Sequence, residues 1–365
     1  MQKFSITVTV FIVLALGAQA GPFYGVVDLG TLGGGESYGA GLSSTGSVAG
    51  WSADPAGDLR AFSFSGAMVG LSGGSESQAN GVNASGTVAG TVYTNGQAQA
   101  TVWEAGNPVS LGTLGGSQSY ATAINDRGQV VGSASDINGQ GRAFIYDGGR
   151  LDALGGIAGW QWSTAAAVDE NGYAAGTAQL ASGEFRGVVW DSAGVPVELG
   201  TLGGSASWAM GMNDNGLVAG ASTTDAGWMH AFLYRGGAII DLGTLGGGNS
   251  GAYDVNAAGW VVGYSLLEGG ASVAFLYADG VLYNLNSLIG NGGWDLQQAM
   301  TINDQGQIVG SGTYNGEVRA FRLDPLMSAD GVPTINNPEP GTMGLLLGGG
   351  GLIAMGLYRR KRCPK

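Results

Sequence analysis

The chain has 365 residues, 72 of them glycine, with 44% apolar residues, only 11% charged residues and a net charge of −13. Glycine far above the usual ~7%, with no Gly-X-Y period and with this much apolar residue, excludes collagen and a disordered tract. Six of the 14 Lys and Arg lie near the termini (Lys3, Arg359, Arg360, Lys361, Arg362 and Lys365), which leaves eight against 27 acids in the rest and argues against nucleic acid or an anionic bilayer as a partner of the body.

Residues 1–20 read MQKFSITVTVFIVLALGAQA. Lys3 gives a positive start, Phe4 to Gly17 an apolar run, and Ala18-Gln19-Ala20 a small-x-small cleavage site, the pattern of a secretory signal peptide with a mature start at Gly21. The expected domains are therefore a signal peptide over 1–20, a repetitive body over 21–325, a linker over 326–337 and a C-terminal signal over 338–362.

The body repeats. LGTLGG begins at Leu29, Leu111, Leu199 and Leu242, and apolar runs close on Gly50, Gly90, Gly132, Gly176, Gly220, Gly263 and Gly310. Seven copies spaced 40 to 47 residues apart signal a repeat architecture. The third copy shows four strand-like pieces: strand A at 120–124, strand B at 129–133, strand C at 142–147 and strand D at 150–155, with the turn Asn125-Asp126-Arg127-Gly128 between A and B. Strand A carries a small residue in every copy (Gly39, Ala79, Ala121, Ala165, Ala209, Ala252, Ala299), as the crowded inner strands of a propeller require. Strand C carries bulk where blades diverge, as at Trp103 and Trp190. The seventh copy lacks strand D, and residues 24–30 (YGVVDLG) supply one ahead of the first strand A. The expected fold is an all-β, seven-bladed propeller of four-stranded blades closed by an N-terminal strand, ahead of an open solenoid.

The x-Ala-Phe triplets begin at Arg60, Arg142, His230, Val273 and Arg319, with departures at Gln99 and Arg186. With LGTLGG and the Asn-Asp-x-Gly turns they resemble HAF repeat extracellular proteins over residues 24–325. The resemblance implies export and no established activity.

The single histidine, His230, occupies a repeat position, and the single cysteine, Cys363, lies in the tail, so no internal disulfide, no His- or Cys-based nucleophile and no zinc site with N/S ligands is expected. No cofactor and no metal is expected; Asp136 opens a loop that only loosely follows calcium-loop spacing. Asp126, Asp214 and Asp304 read as turn residues. The candidate ligand face is the one shared by the D–A and B–C loops: Tyr38, Tyr120 and Trp208 at equivalent positions, Trp160, Trp162 and Trp294 nearby, Glu36 and Glu76 on the rim, and Asp254 inside the channel. Aromatics with a few acids suit sugar rings or a cation, and extracellular polysaccharide is the expected ligand; the same rings also serve as ordinary blade packing. A carbohydrate-active enzyme would use two of Glu36, Glu76, Asp254 and Asp295 at about 5–10 Å. A protein-binding scaffold is the third reading. The expectation is a non-enzymatic exported protein.

The tail runs from Pro338-Glu339-Pro340 through an uncharged stretch, 342–358, to Arg359-Arg360-Lys361-Arg362. As a helix those 17 residues would cover about 26 Å, the lower limit for a bilayer span, with the basic cluster held inside. The three parts in this order resemble a PEP-CTERM sorting signal. That resemblance implies a Gram-negative bacterium and an exosortase-like processing enzyme as partner. A permanent membrane anchor is the alternative, and either places the body at the cell envelope or outside the cell.

Overall fold

The computed structural model describes residues 24–290 and 292–326. The expected signal peptide, most of the linker and the sorting signal with its helix lie outside the described residues. Among the described residues no helix is long and apolar enough to cross a membrane.

Seven four-stranded antiparallel sheets form seven blades around a channel. Blade 3 is typical: strand A is Gly115–Ile124, B is Val130–Asp136, C is Gly141–Asp147 and D is Arg150–Ala153. Strand A starts earlier than the sequence pattern places it, because the glycines of LGTLGG still pair, Gly115 opposite Asp136. The seventh blade is closed by Tyr24–Asp28, which takes the D position against Glu317–Pro325 with Val26 opposite Leu323 and Asp28 opposite Phe321. The seven-bladed propeller with an N-terminal closing strand is therefore the fold of this chain.

The repeated residues are explained by contacts between blades. The glycine that closes each strand-B motif faces a carbonyl of its own strand A. A Cβ on Gly132 would lie 1.9 Å from the Tyr120 carbonyl oxygen, and the other six positions are equally tight, at 2.0 or 2.1 Å. The phenylalanines of the triplets pack over these glycines and are fully buried, as at Phe62, Phe144, Phe232 and Phe321. The triplet alanine is fully buried, and its N–H donates to a serine Oγ of the next blade. Six such bonds, 2.8–3.0 Å long, run to Ser37, Ser77, Ser119, Ser163, Ser207 and Ser250, with Gly187 in the alanine place once. Four of these serines pass their own proton to the first glycine carbonyl of LGTLGG at 2.6 Å. LGTLGG and x-Ala-Phe are thus two halves of one joint between adjacent blades.

The A–B turns form a second set of joints. Each turn asparagine accepts N–H groups of its own turn through Oδ1, as Asn125 does from Gln129 at 2.9 Å. Its Nδ2 reaches the next blade and donates to the equivalent carbonyl: Asn83 to Asn125, Asn125 to Asp169, Asn213 to Asn256, Asn256 to Asn303, and Asn303 to Ser43 across the closure. The acids that follow do similar work. Asp126, Glu170, Asp214 and Asp304 accept the N–H of residue 84, 126, 170 and 257, each in the preceding blade. The turn reading of Asp126, Asp214 and Asp304 accounts for only part of what they do.

Candidate functional site

The inner strands carry a feature that periodicity does not reveal. In all seven, the pairing slips by one residue just after the small residue, for example between Ala121 and Ala123. A bulge leaves one residue out of the ladder and re-aims its side chain. The residues so released are Ala40, Asn80, Thr122, Ala166, Met210, Tyr253 and Met300, and every one lines the channel cavity of 410 Å³. Asn80 and Thr122 turn their polar ends to the next blade's backbone, at 2.7 Å to the carbonyls of Ala121 and Ala165. The rest of the wall is mostly apolar, with Trp51, Tyr253 and Asp254 as its functional-looking groups.

At the mouth formed by the D–A and B–C loops, Tyr38 stacks on Trp51 with centroids 5.6 Å apart and planes 21° apart. The Tyr38 hydroxyl donates to Glu36 Oε2 at 3.0 Å, which fixes the ring. Burial, and then the Glu36 hydrogen bond, push the Tyr38 phenol above its usual range. Trp208 packs against Phe185 of the preceding blade at 5.7 Å, and Tyr253 against Tyr264 at 5.8 Å. Tyr120 is 36% exposed and donates to Gln118 Oε1. Glu76 begins strand A of blade 2 and is exposed. Trp162 lies over Gly141, whose absent Cβ leaves room 2.5 Å from the indole.

The structure does not gather all the expected residues at this mouth. Trp160 is buried against Trp190 at 6.2 Å, and its Nε1 donates to Glu198. Trp294 stacks on Tyr314 at 4.8 Å and meets Phe321 edge-on, so it joins the core of blade 7. Asp254 lines the channel nearer its A–B end, one residue before strand A of blade 6 finishes. Its level is five strand positions from those of Glu36 and Glu76, or about 15 Å along the strand direction. Sequence reading passed over Trp51 and Tyr264. Both follow a closing glycine directly, and aromatics at that position in copies one and six were the available signal.

Asp254 is tied across the junction of blades 6 and 7. Its Oδ1 accepts the Val255 N–H at 2.8 Å, and its Oδ2 accepts the Thr301 hydroxyl at 2.8 Å and the Ile302 N–H at 3.0 Å. Desolvation raises its carboxyl to about 6, against the pull of those three hydrogen bonds and with a small addition from Asp304. The glycine at 211 in blade 5 is required here, because a Cβ there would come 2.8 Å from Asp254 Oδ1.

Loop residues that could suggest chemistry have structural partners. Asp136 Oδ1 accepts the N–H groups of Asn138 and Gln140, and its Oδ2 pairs with Arg142 at 3.3 Å. The Gln140 N–H leads the groups that hold this carboxyl below its usual range. His230 Nδ1 meets Asp241 at 2.9 Å, in the place where Arg60, Arg142, Arg186 and Arg319 bind acids or amides of their own blades.

No family model matches the chain, and no curated protein matches it. Solved propellers match its fold. A puromycin hydrolase (S511A mutant, complexed with PGG) has a TM-score of 0.52 at 16% identity, over 77% of this chain and 50% of that one. The chain thus spans about half of that enzyme's length. The WD40 β-propeller domain of Doa1 matches at a TM-score of 0.45 and 14% identity, over 81% of this chain and 97% of that one. The BP39L lectin from Burkholderia pseudomallei matches at 0.45 and 11%, over 84% and 98%. At these identities the likeness is one of fold, and the matched proteins are of mixed function.

Proposed function

We propose that this chain is an exported, non-enzymatic propeller that binds extracellular polysaccharide at the D–A/B–C mouth of its channel. The observation that carries the reading is the stacked Tyr38–Trp51 pair, held by Glu36 beside an open channel. A fixed aromatic face next to a carboxylate suits the apolar face and the hydroxyls of a sugar ring. The repeat motifs serve the joints between blades, which leaves the varied loops and the mouth to hold ligand. Export rests on residues 1–20, and sorting by an exosortase-like enzyme rests on the resemblance of residues 338–362 to a PEP-CTERM signal. A carbohydrate-active reading has Asp254 as the one carboxyl raised toward neutrality among the described residues, but Glu36 and Glu76 lie too far from it to act as its partner.

The test is affinity electrophoresis of the full chain in gels containing exopolysaccharide from the native host. Retardation is expected, with Trp51→Ala weakening it about tenfold, the equivalent of ~1.4 kcal/mol. A wild-type chain that runs unretarded sinks the proposal. Intact mass of the protein from its host tests the ends separately. A form starting at Gly21 and ending near Pro340 is expected, whereas a full-length tail kept in the membrane would leave a plain anchor.

A further inference from the structure

The ring of asparagine joints has two interruptions. In blade 1 Ser43 is too short to reach across. In blade 4 the asparagine place is taken by Asp169, which is only 6% exposed. Its Oδ1 accepts the N–H groups of Asn171 at 2.9 Å and Tyr173 at 2.8 Å, the turn bonds that Oδ1 of the asparagines makes elsewhere. Asp169 Oδ2 therefore stands where the other blades place an amide donor against the next blade's carbonyl. The carbonyl it faces, that of Asn213, accepts the Gly216 N–H at 3.0 Å but no bond from blade 4. Asp169 has no amide to offer that carbonyl, so the link between blades made by asparagine elsewhere is missing here. The nearby amide of Asn171 reaches Asp169 Oδ2 at 3.3 Å and the Asp214 carbonyl at 3.4 Å, long for both.

A cavity of 340 Å³ opens at this point between blades 4 and 5. Its walls are apolar: Tyr173, Val189 and Val197 from blade 4, Met212 and Tyr234 from blade 5. The equivalents of Val189 at other junctions include the larger Ile145, Leu233, Leu276 and Arg322, which helps explain why space remains here. The polar end holds Asp169, Asn171 and Asp214, and no Lys or Arg is among the lining residues. This size, with apolar walls and a few convergent polar groups, is that of a small-molecule site.

We propose that this crevice binds a small organic ammonium. Its N–H groups would lie against the carboxylates of Asp169 and Asp214, and its apolar body would lie among Val189, Val197, Met212 and the two tyrosines. A cation near tyrosine faces gains further attraction. The site borders the A–B end of the channel, away from the Tyr38–Trp51 mouth, and does not depend on the polysaccharide reading.

The test is calorimetric titration of the full chain with benzylammonium chloride, and with benzyl alcohol as the neutral counterpart. Saturable binding of the ammonium is expected, with the alcohol at least tenfold weaker. Asp169→Asn restores an amide donor to the Asn213 carbonyl, so it should lower ammonium affinity at least tenfold while the protein melts a few degrees higher. That rise separates loss of the site from loss of the fold. Val189→Leu, which fills the cavity with a side chain that neighbouring junctions already carry, should weaken binding as well. Absence of saturable binding to the wild type, equal binding of ammonium and alcohol, or undiminished binding to Asp169→Asn would each overturn the proposal.

Discussion

The two ends of the channel are built on opposite principles. At the A–B end, nearly every blade presents the same asparagine, donating to the same carbonyl of the next blade, and most of the following residues accept or offer the same N–H. At the D–A/B–C end, equivalent positions hold Tyr38, Gln78, Tyr120, Thr164, Trp208, Gly251 and Gln298. Uniformity marks the end that holds the ring together, and variety marks the end free to meet something else. At the uniform end, Asp169 in the asparagine place and Asp254 on strand A then stand out as acids that depart from the frame.

Substitutions should separate these two ends by size of effect. The largest loss is expected in the frame itself. Gly132→Ala drives a methyl into the Tyr120 carbonyl and should destabilise by about 3 kcal/mol in urea unfolding. A change under 1 kcal/mol would mean that strands A and B can part at little cost. Next is Asn256→Ala, which strands the Ala258 and Trp260 N–H groups and removes the donor to Asn303; about 2 kcal/mol is expected. Asn256→Asp should fall between this variant and wild type, since it keeps the turn bonds and loses only the link.

Asp254 gives a pH-dependent effect of intermediate size. Its carboxyl is raised on folding from 3.8 to about 6. A carboxyl raised on folding stabilises while protonated, so its contribution is full below pH ~4 and is lost as pH rises through about 6. The group borders the channel, where water offsets part of the penalty, and a loss of about 1 kcal/mol between pH 4 and 7 is expected. Asp254→Asn should flatten that part of the profile, and an unchanged slope would show that Asp254 is well solvated. The smallest change belongs to the variable rim. Tyr120→Ala should stay within about 0.5 kcal/mol of wild type in stability, and a larger loss would make the rim part of the frame.

Much of this fold is legible in the sequence because the repeat states it seven times. The count of blades, the small residues of the inner strands and the borrowed strand at residues 24–28 all follow from spacing. What spacing does not carry is direction. The bulge beside each small residue changes no composition, yet it is what turns Tyr253 into the channel. Asn125 reads as a turn residue from its neighbours, and its second bond goes to a carbonyl 44 residues away. Trp160 and Trp294 look like Trp208 in a list of aromatics. They differ because Trp190, Tyr314 and Phe321 offer them a surface to cover, and only the folded blades show that.

The closing strand also fixes where the chain enters and leaves the propeller. Tyr24 pairs with Pro325, so the chain enters and leaves the propeller at neighbouring points on the outer edge of blade 7. Both points lie on the side of the A–B and C–D turns. Whatever follows residue 326 therefore starts from the opposite side of the propeller to the Tyr38–Trp51 mouth.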